Sequence, residues 1–364
     1  MIRPFGLRDS LLVRRLQASG ISLDIDHALV HKYSPFWAAL RAPVPWHVNG
    51  IATYVLRAQV RGYRLQGFVQ IRRVPGSGAA WIAFLSPGYG VDETLEIWRR
   101  LLRHTYEQAG LNGVQRLYAA LGDEYVELLD LFRQLGFSLF AREELYRLRY
   151  PVMPDGFEPE HVRPYTDGDG WQVKRLYAQV TPQPVQLAEG AVGGDGKPPF
   201  LISVSQPDVN TLVAGRQGEA QGVVQIRSGT EGHLIRLWGD TYDSDLMAGL
   251  LLSALRCANP APVRPVYCVV RDYQGGLRAL LEEYGFEYMG RWARLVRHVM
   301  RTERVPANAT VAALDPRTEA ITTATEAELG ALMVAWSDAW QPIALEPEET
   351  AEWEPCASPQ LIAR

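Results

Sequence analysis

Residues 67–73 read GFVQIRR, and residues 222–228 read GVVQIRS. Five of the seven positions are identical, at a separation of 155 residues. The β-branched, alternating character of both stretches marks them as strands. One shared heptapeptide can arise by chance. A duplicated unit has to match again, in the same order, and this chain does. IRPF at Ile2 is echoed by VRPY at Val162, 160 residues on. RLYAALGDEYVELLDLFRQLGF, ending at Phe137, is echoed 149 residues on by PVYCVVRDYQGGLRALLEEYGF, ending at Phe286. Loops of unequal length give such a falling separation, so the chain reads as a tandem repeat.

Each copy has the same order of signals. A short Arg-Pro strand opens it, and a helical stretch follows: DSLLVRRLQ, with Asp9 or Ser10 as N-cap, and DGWQVKRLYAQV. Three strand candidates come next: ATYVLRAQV, YRLQGFVQIRRV and AAWIAFLS in the first copy, NTLVAGRQ, AQGVVQIRS and HLIRLWG in the second. A long amphipathic helix follows, with Leu95, Trp98, Leu101, Leu102 and Tyr106 at helical spacing, or Ser244 to Cys257. An apolar strand and a helix capped by Gly136 or Gly285 come after it. A closing strand pair is read in FSLFAREELYRLRY and in FEYMGRWARLVRHVM. The order β-α-β-β-β-α-β-α-β-β is mixed α/β, an antiparallel meander leading into a parallel crossover.

The chain has 364 residues and a net charge of −4, which predicts two domains and offers no basic field for nucleic acid. The longest apolar run, LMAGLLLSAL, is half of the roughly 20 residues a membrane span needs. Cys257, Cys268 and Cys356 form no CxxC pair and no even framework, which fits a reducing cytoplasmic setting.

The order of elements, each copy ending in a helix that runs into Gly-Phe (LFRQLGF and LLEEYGF), resembles the GCN5-related N-acetyltransferase (GNAT) superfamily. The likeness covers about 1–150 and 160–300. It implies an α/β (α+β) fold of two tandem GNAT-like domains, 1–153 and 154–302, each a mixed, mostly antiparallel sheet flanked by helices. Residues 303–364 form a C-terminal extension. The halves are expected side by side, each splitting its own sheet beside the start of its central helix; one sheet running through both would contradict that. The resemblance further implies acetyl-CoA or another acyl-CoA as co-substrate, no metal, and a small-molecule or peptide amine as acceptor. Pantetheine pairs with the backbone of the strand before the central helix. The helix start holds the pyrophosphate, a general property of helix N-termini.

In the first copy that region is LSPGYGVDETLEIW, from Leu85 to Trp98, and the cofactor-binding candidates are Leu85, Gly88, Tyr89, Gly90 and Val91. The family's glycine positions hold Glu93 and Leu95, and Asp92, Glu93 and Glu96 lie at the helix start. The second copy, GDTYDSDLMAGLLL from Gly239, brings Asp240, Asp243 and Asp245 to the same place. Carboxylates there are expected to cap the helix and compete with phosphate. Phe132 and Leu281 stand where many family members have a catalytic tyrosine, so Tyr125 is the catalytic candidate. Half-decayed motifs leave an alternative, a catalytically inactive tandem protein that binds or scaffolds.

Other groups read as structural. His27 and His31 are i, i+4 neighbours beside Asp24, read as surface histidines without a third metal ligand. Tyr118 and Tyr267 match across the repeat. GGDGKPP at Gly193 reads as a flexible loop, and Arg291, Arg294, Arg297 and Arg301 as a solvated strand. A short helix from Thr325, with Leu329, Leu332, Met333 and Trp336 on one side, precedes an acidic tail.

Overall fold

The computed structural model describes residues 1–299 except 48–49, 61–62, 89–92, 151–160, 193–195, 205, 216–218 and 259–263. Met1–Glu303 forms one compact unit; a second unit, Arg304–Arg364, with the expected short helix and acidic tail, lies outside the described residues. Half one contains β1 (Ile2–Pro4), α1 (Ser10–Leu16), β2 (Ile21–Ser22), α2 (Ile25–Val30), α3 (Pro35–Arg41), β3 (Ile51–Val60), β4 (Tyr63–Arg73), β5 (Ala79–Ser86), α4 (Thr94–Leu111), β6 (Arg116–Gly122), α5 (Val126–Gln134) and β7 (Ser138–Leu148). Half two contains β8 (Val162–Pro164), α6 (Gly170–Val180), α7 (Gln183–Glu189), α8 (Pro199–Ser203), β9 (Val209–Ala214), β10 (Gly222–Ser228), β11 (His233–Gly239), α9 (Ser244–Ala258), β12 (Val266–Arg271), α10 (Gly276–Glu283) and β13 (Glu287–His298).

Each residue of the duplicated phrase has the same task in both halves. A Cβ on Gly67 would lie 2.6 Å from Ile97, and one on Gly222 2.6 Å from Leu250, so the glycines let α4 and α9 press onto the sheet. Ile71 and Ile226 enter the cores under those helices. Gln70 and Gln225 point to the other face. Gln70 Nε2 donates to Thr53 across the strand pair (2.9 Å) and to the Pro35 carbonyl at the start of α3 (2.7 Å). Gln225 donates to Thr211 (3.1 Å) and accepts from Ser203 at the end of α8 (2.9 Å). The Arg-Pro openings are equally structural: Arg3 pairs with Asp9 and Arg163 with Asp169, and each aspartate accepts the N–H of Gly6 or Thr166. Gly136 (φ +79°) and Gly285 (φ +78°) end their helices in the left-handed region, as expected.

Strand order is equal in the halves, β1-β3-β4-β5-β6 and β8-β9-β10-β11-β12. The expectation of two separate sheets is corrected. One sheet runs through both halves, …β5-β6-β13-β7-β12-β11…, because the last strands are exchanged. β13 of half two pairs with β6 of half one, from Trp292 opposite Gly122 to His298 opposite Arg116. β7 of half one pairs with β12 of half two, from Val266 opposite Leu148 to Arg271 opposite Glu143. The expected closing strand pair is a single long strand in each copy. SLFAREELYRL holds no Gly, Pro, Asn or Asp to turn on, so it runs straight. The other half supplies the missing neighbour.

One face of this sheet carries α4, α5, α9 and α10 over the two largest apolar cores. The opposite face carries α1 to α3 and α6 to α8. Among the described residues no helix is long and apolar enough to cross a membrane.

Exchange makes each half dependent on the other for a central strand. Residues 1–150 or 160–303, produced alone, are expected to show no cooperative thermal unfolding by near-UV circular dichroism, and to co-purify when co-expressed. A cooperative transition in either fragment alone would contradict the exchanged arrangement.

Candidate functional site

β5 and β6 pair in parallel only from Ala79/Arg116 to Trp81/Tyr118 and then diverge; an extra residue, Ala83, bulges β5 just beyond. The gap is filled by the chain itself. Leu23 N–H donates to the Ala83 carbonyl (3.0 Å) and the Leu23 carbonyl accepts from Ala120 N–H (2.8 Å). β2 lies antiparallel to β5, Ile21 opposite Leu85 and Ser22 opposite Phe84. The Ser19 carbonyl lies 1.8 Å from where a Cβ on Gly88 would stand. In half two, β11 and β12 pair from His233/Val266 to Ile235/Cys268 and then diverge, with no bulge. There the bridge is a side chain. Gln274 Nε2 donates to the Leu237 carbonyl (2.8 Å), and its Oε1 accepts from Arg271 N–H (3.1 Å).

The two helix starts differ. At α9, Leu246 N–H donates to the Asp243 carboxylate (3.0 Å), so the expected acidic cap is present. At α4, Glu93 has left-handed backbone (φ +63°) and gives no side-chain cap, and Glu96 pairs with Arg100 instead (2.6 Å). An acidic cap from Glu93 or Glu96 is therefore not formed. Asp92, Tyr89, Gly90 and Val91 lie outside the described residues. Leu85 is fully buried with its backbone engaged by β2. Tyr125 is half-buried at the N-cap of α5, three residues beyond β6, at the open end of the splay. Burial, and then Glu124, push its hydroxyl pKa up. Phe132 and Leu281 are fully buried core residues. Half two has the Asp243 cap and the Gln274 bridge at its splay. Half one has residues 19–23 in its splay, and Glu93 makes no side-chain cap at α4.

Sequence reading missed a second site, on the opposite face of the sheet where the halves meet. A cavity of about 250 Å³ is lined from both halves. Arg72 and Arg227, the arginines of the duplicated phrase, both reach it, as do Trp81, Tyr118 and Trp238. Its floor is an ionic cluster around Glu143 of β7. Arg236 of β11 donates to both Glu143 oxygens (3.0 and 3.2 Å) and bidentately to Asp26 of α2 (3.0 and 2.9 Å). Arg271 of β12 donates to Glu143 (3.1 Å) and to Glu189 of α7. Arg294 of β13 pairs with Glu143 and Asp26 and lies over the Trp81 ring, 5.3 Å from its centre. Burial alone would raise the Glu143 and Asp26 pKa values; the guanidinium groups overturn this and hold both carboxylates below the usual range. A charged residue inside an apolar strand was the available signal: Glu143 in REELY, Arg236 in HLIRLWG and Arg271 in CVVRD.

The remaining sequence candidates are structural. Arg294 is 3% exposed, and Arg297 stacks on Tyr106 at 3.3 Å, so the reading of a solvated arginine strand is corrected: alternate residues face cavity and core. Arg301 lies outside the described residues, as does the loop at Gly193 to Asp195. Tyr118 donates to the Ala188 carbonyl (2.7 Å), whereas Tyr267 packs with Leu234 and Val269. The His27 and His31 rings touch, 4.8 Å apart, and the latter lies 3.6 Å from Asp208 of half two. The pair therefore lines the seam between the halves and is not an isolated surface feature. Among the described residues no group of three His, Cys, Asp or Glu could hold a metal ion.

No protein-family model and no curated protein sequence matches the chain. Solved structures do. A GCN5-related N-acetyltransferase from Sphaerobacter thermophilus superposes with a TM-score of 0.50 at 13% identity, covering 82% of this chain and 95% of that one. A tandem GNAT protein from the clavulanic acid biosynthesis pathway gives a TM-score of 0.45 at 14% identity, covering 83% and 99%. The first of these shows the fold: mixed α/β, of the GNAT type.

Two outcomes follow from the ionic cluster. Glu143→Gln leaves three buried guanidinium groups short of a counter-charge, so urea unfolding is expected to lose about 3–5 kcal/mol; a loss below about 1 kcal/mol would remove Glu143 from its central role. Burial, with Arg72 next, holds the His27 imidazole down at about 4. Its unfolded value is near 6.5. Stability from this group is therefore complete above pH 6.5 and is lost as pH falls towards 4. An NMR titration of His27 with a midpoint near 6.5 would contradict this packing.

Proposed function

We propose that the protein is a cytoplasmic acyl-CoA-dependent N-acyltransferase, an acetyltransferase by preference, built from two GNAT-like repeats, 1–153 and 154–302. It acts on a small-molecule or peptide amine at half one. The observation that supports half one is its splay, in which β5 bulges at Ala83 and leaves β6 beyond Trp81/Tyr118; at the helix starts Asp243 caps α9, whereas Glu93 makes no such bond at α4. Half two has no bulge. Acyl-CoA supplies the activated acyl group. An arm that pairs there has to displace residues 19–23, since Leu23 engages the Ala83 carbonyl and the Ala120 N–H and its side chain, with that of Ile21, is buried in the core of half one. Tyr125, three residues beyond β6 at the mouth of that splay, is the candidate proton donor by position.

A second reading, a GNAT-fold binding protein without acyl transfer, is favoured by one specific observation: both splays are bridged by the chain's own amide groups, at Leu23 and at Gln274. Calorimetric titration with acetyl-CoA separates the two. Acyl transfer requires saturable binding in the micromolar to low millimolar range, abolished by Gly90→Leu, and a Tyr125→Phe variant that binds normally but turns over roughly 10²-fold more slowly. No binding of acetyl-CoA at millimolar concentration would reject it in favour of the binding protein.

A further inference from the structure

The cavity between the halves has an unbalanced wall. Six arginines line it, Arg72, Arg116, Arg227, Arg236, Arg271 and Arg294, with three carboxylates, Asp26, Glu143 and Glu189. Behind the wall Asp24 takes Arg72 and Asp208 takes Arg227. Five carboxylates thus answer five arginines. Arg116 is left over: among the described residues no carboxylate pairs with it, and its Nε is buried without a hydrogen-bond partner. Its guanidinium hydrogen-bonds the Tyr118 hydroxyl and packs against the backbone of Gly190, where a Cβ would fall 2.0 Å from Nη1. Arg227 Nε is also buried without a hydrogen bond, its contact with Asp208 being long at 3.5 Å. Unspent buried donors of this kind are costly unless a partner arrives.

The rest of the wall states what that partner looks like. Trp81, Tyr118, Phe140, Leu234, Ile202 and Trp238 give it aromatic and aliphatic surface. A void of about 150 Å³ accepts benzene, so about 250 Å³ accommodates one ring with a short arm. Guanidinium groups match carboxylates in shape and charge. One surplus positive charge matches one carboxylate, whereas a phosphate monoester carries about −1.5 to −2.

We propose that this cavity binds a small organic monocarboxylate with a single aromatic ring or a body of that size. Its carboxylate is taken by Arg116, with Arg227 lining the same cavity as a second donor, and its ring lies among Trp81, Tyr118 and Trp238. Because Arg72 and Arg227 come from the two copies of one phrase, and Arg116 and Trp238 from different halves, the ligand is held by both halves at once. The site lies on the face of the sheet away from α4 and stands whether or not acyl-CoA binds in half one.

The test is titration of the full chain, without acyl-CoA, by tryptophan fluorescence and calorimetry, with 3-phenylpropionate, phenylacetate, their neutral amides and inorganic phosphate as probes. At least one of the two acids is expected to bind saturably, with its amide at least ten-fold weaker and phosphate unable to displace it. Arg116→Gln should weaken the acid at least ten-fold while leaving the melting profile cooperative. Ile202→Trp, which fills the cavity and removes no charge, should abolish binding. Equal affinity for acid and amide, wild-type affinity in either variant, displacement by inorganic phosphate, or no saturation by either acid to ten millimolar would each overturn the proposal.

Discussion

Glu143 is 3% exposed and takes guanidinium groups from three strands, β11, β12 and β13, while itself standing on β7. Those four strands meet only because the last strand of each half crosses into the other. The carboxylate and the exchange therefore define each other. A one-residue slip of β7 against β12 would turn Glu143 into the opposite, apolar face. It would also leave Arg236, Arg271 and Arg294 without their shared partner. Buried ion clusters contribute little net stability over a well-packed apolar core. This cluster instead fixes register at the one place where two duplicated units, alike enough to pair in several ways, must join in a single way. Asp26 on α2 and Glu189 on α7 bring a helix from each half into the same cluster, so the cavity floor is built by the joint itself.

A splayed pair of parallel strands exposes backbone groups that have lost their ladder, and buried backbone groups must find partners. The halves meet that requirement with the same functional group from different sources. Half one uses a peptide, Leu23, delivered by a strand that adds to β5. Half two uses the carboxamide of Gln274, the side chain closest to a peptide in hydrogen-bonding capacity. The segment of half one is held by two hydrogen bonds and an edge pairing, and its Ile21 and Leu23 side chains are buried in the apolar core of that half. A side chain locked between Leu237 and Arg271, beside a helix capped by Asp243, is part of a core. The halves share one strand order, and the asymmetry between them is at the splay.

The repeat, its element order up to the last helix of each copy, the glycine caps and the capping acid at Asp243 were legible in the amino-acid sequence, because each is a local pattern with a local cause. The exchange was not. SLFAREELYRL and EYMGRWARLVRH look like strands whichever neighbour they pair with, and a stretch of chain carries no mark of which sheet it enters. Arg294 was misread for the same reason. In an exposed edge strand RWARLVRH would be a solvated arginine row, whereas between β6 and β7 its alternate positions face Trp81 and the Glu143 carboxylate. Arg116 opens an apolar strand, and nothing in the residues around it marks it out. That no carboxylate among the described residues pairs with it depends on Gly190, 74 residues away, and on how the other arginines are paired.

The duplicated phrase itself argues about where ligand chemistry belongs in this molecule. Its glycine, isoleucine and glutamine are spent on packing a helix, filling a core and docking a short helix, identically in both copies. Only the arginine has a free choice, since a strand residue beside a core needs no charge. Both copies nevertheless carry it, and both arginines reach a cavity lined from both halves. A duplicated ancestor with two separate sites would aim its repeated residues at two splays. Here the residues at the splays have diverged, Ala83 bulged and Leu237 not, while the repeated arginines converge. The joint between the halves is therefore where the two copies act as one protein.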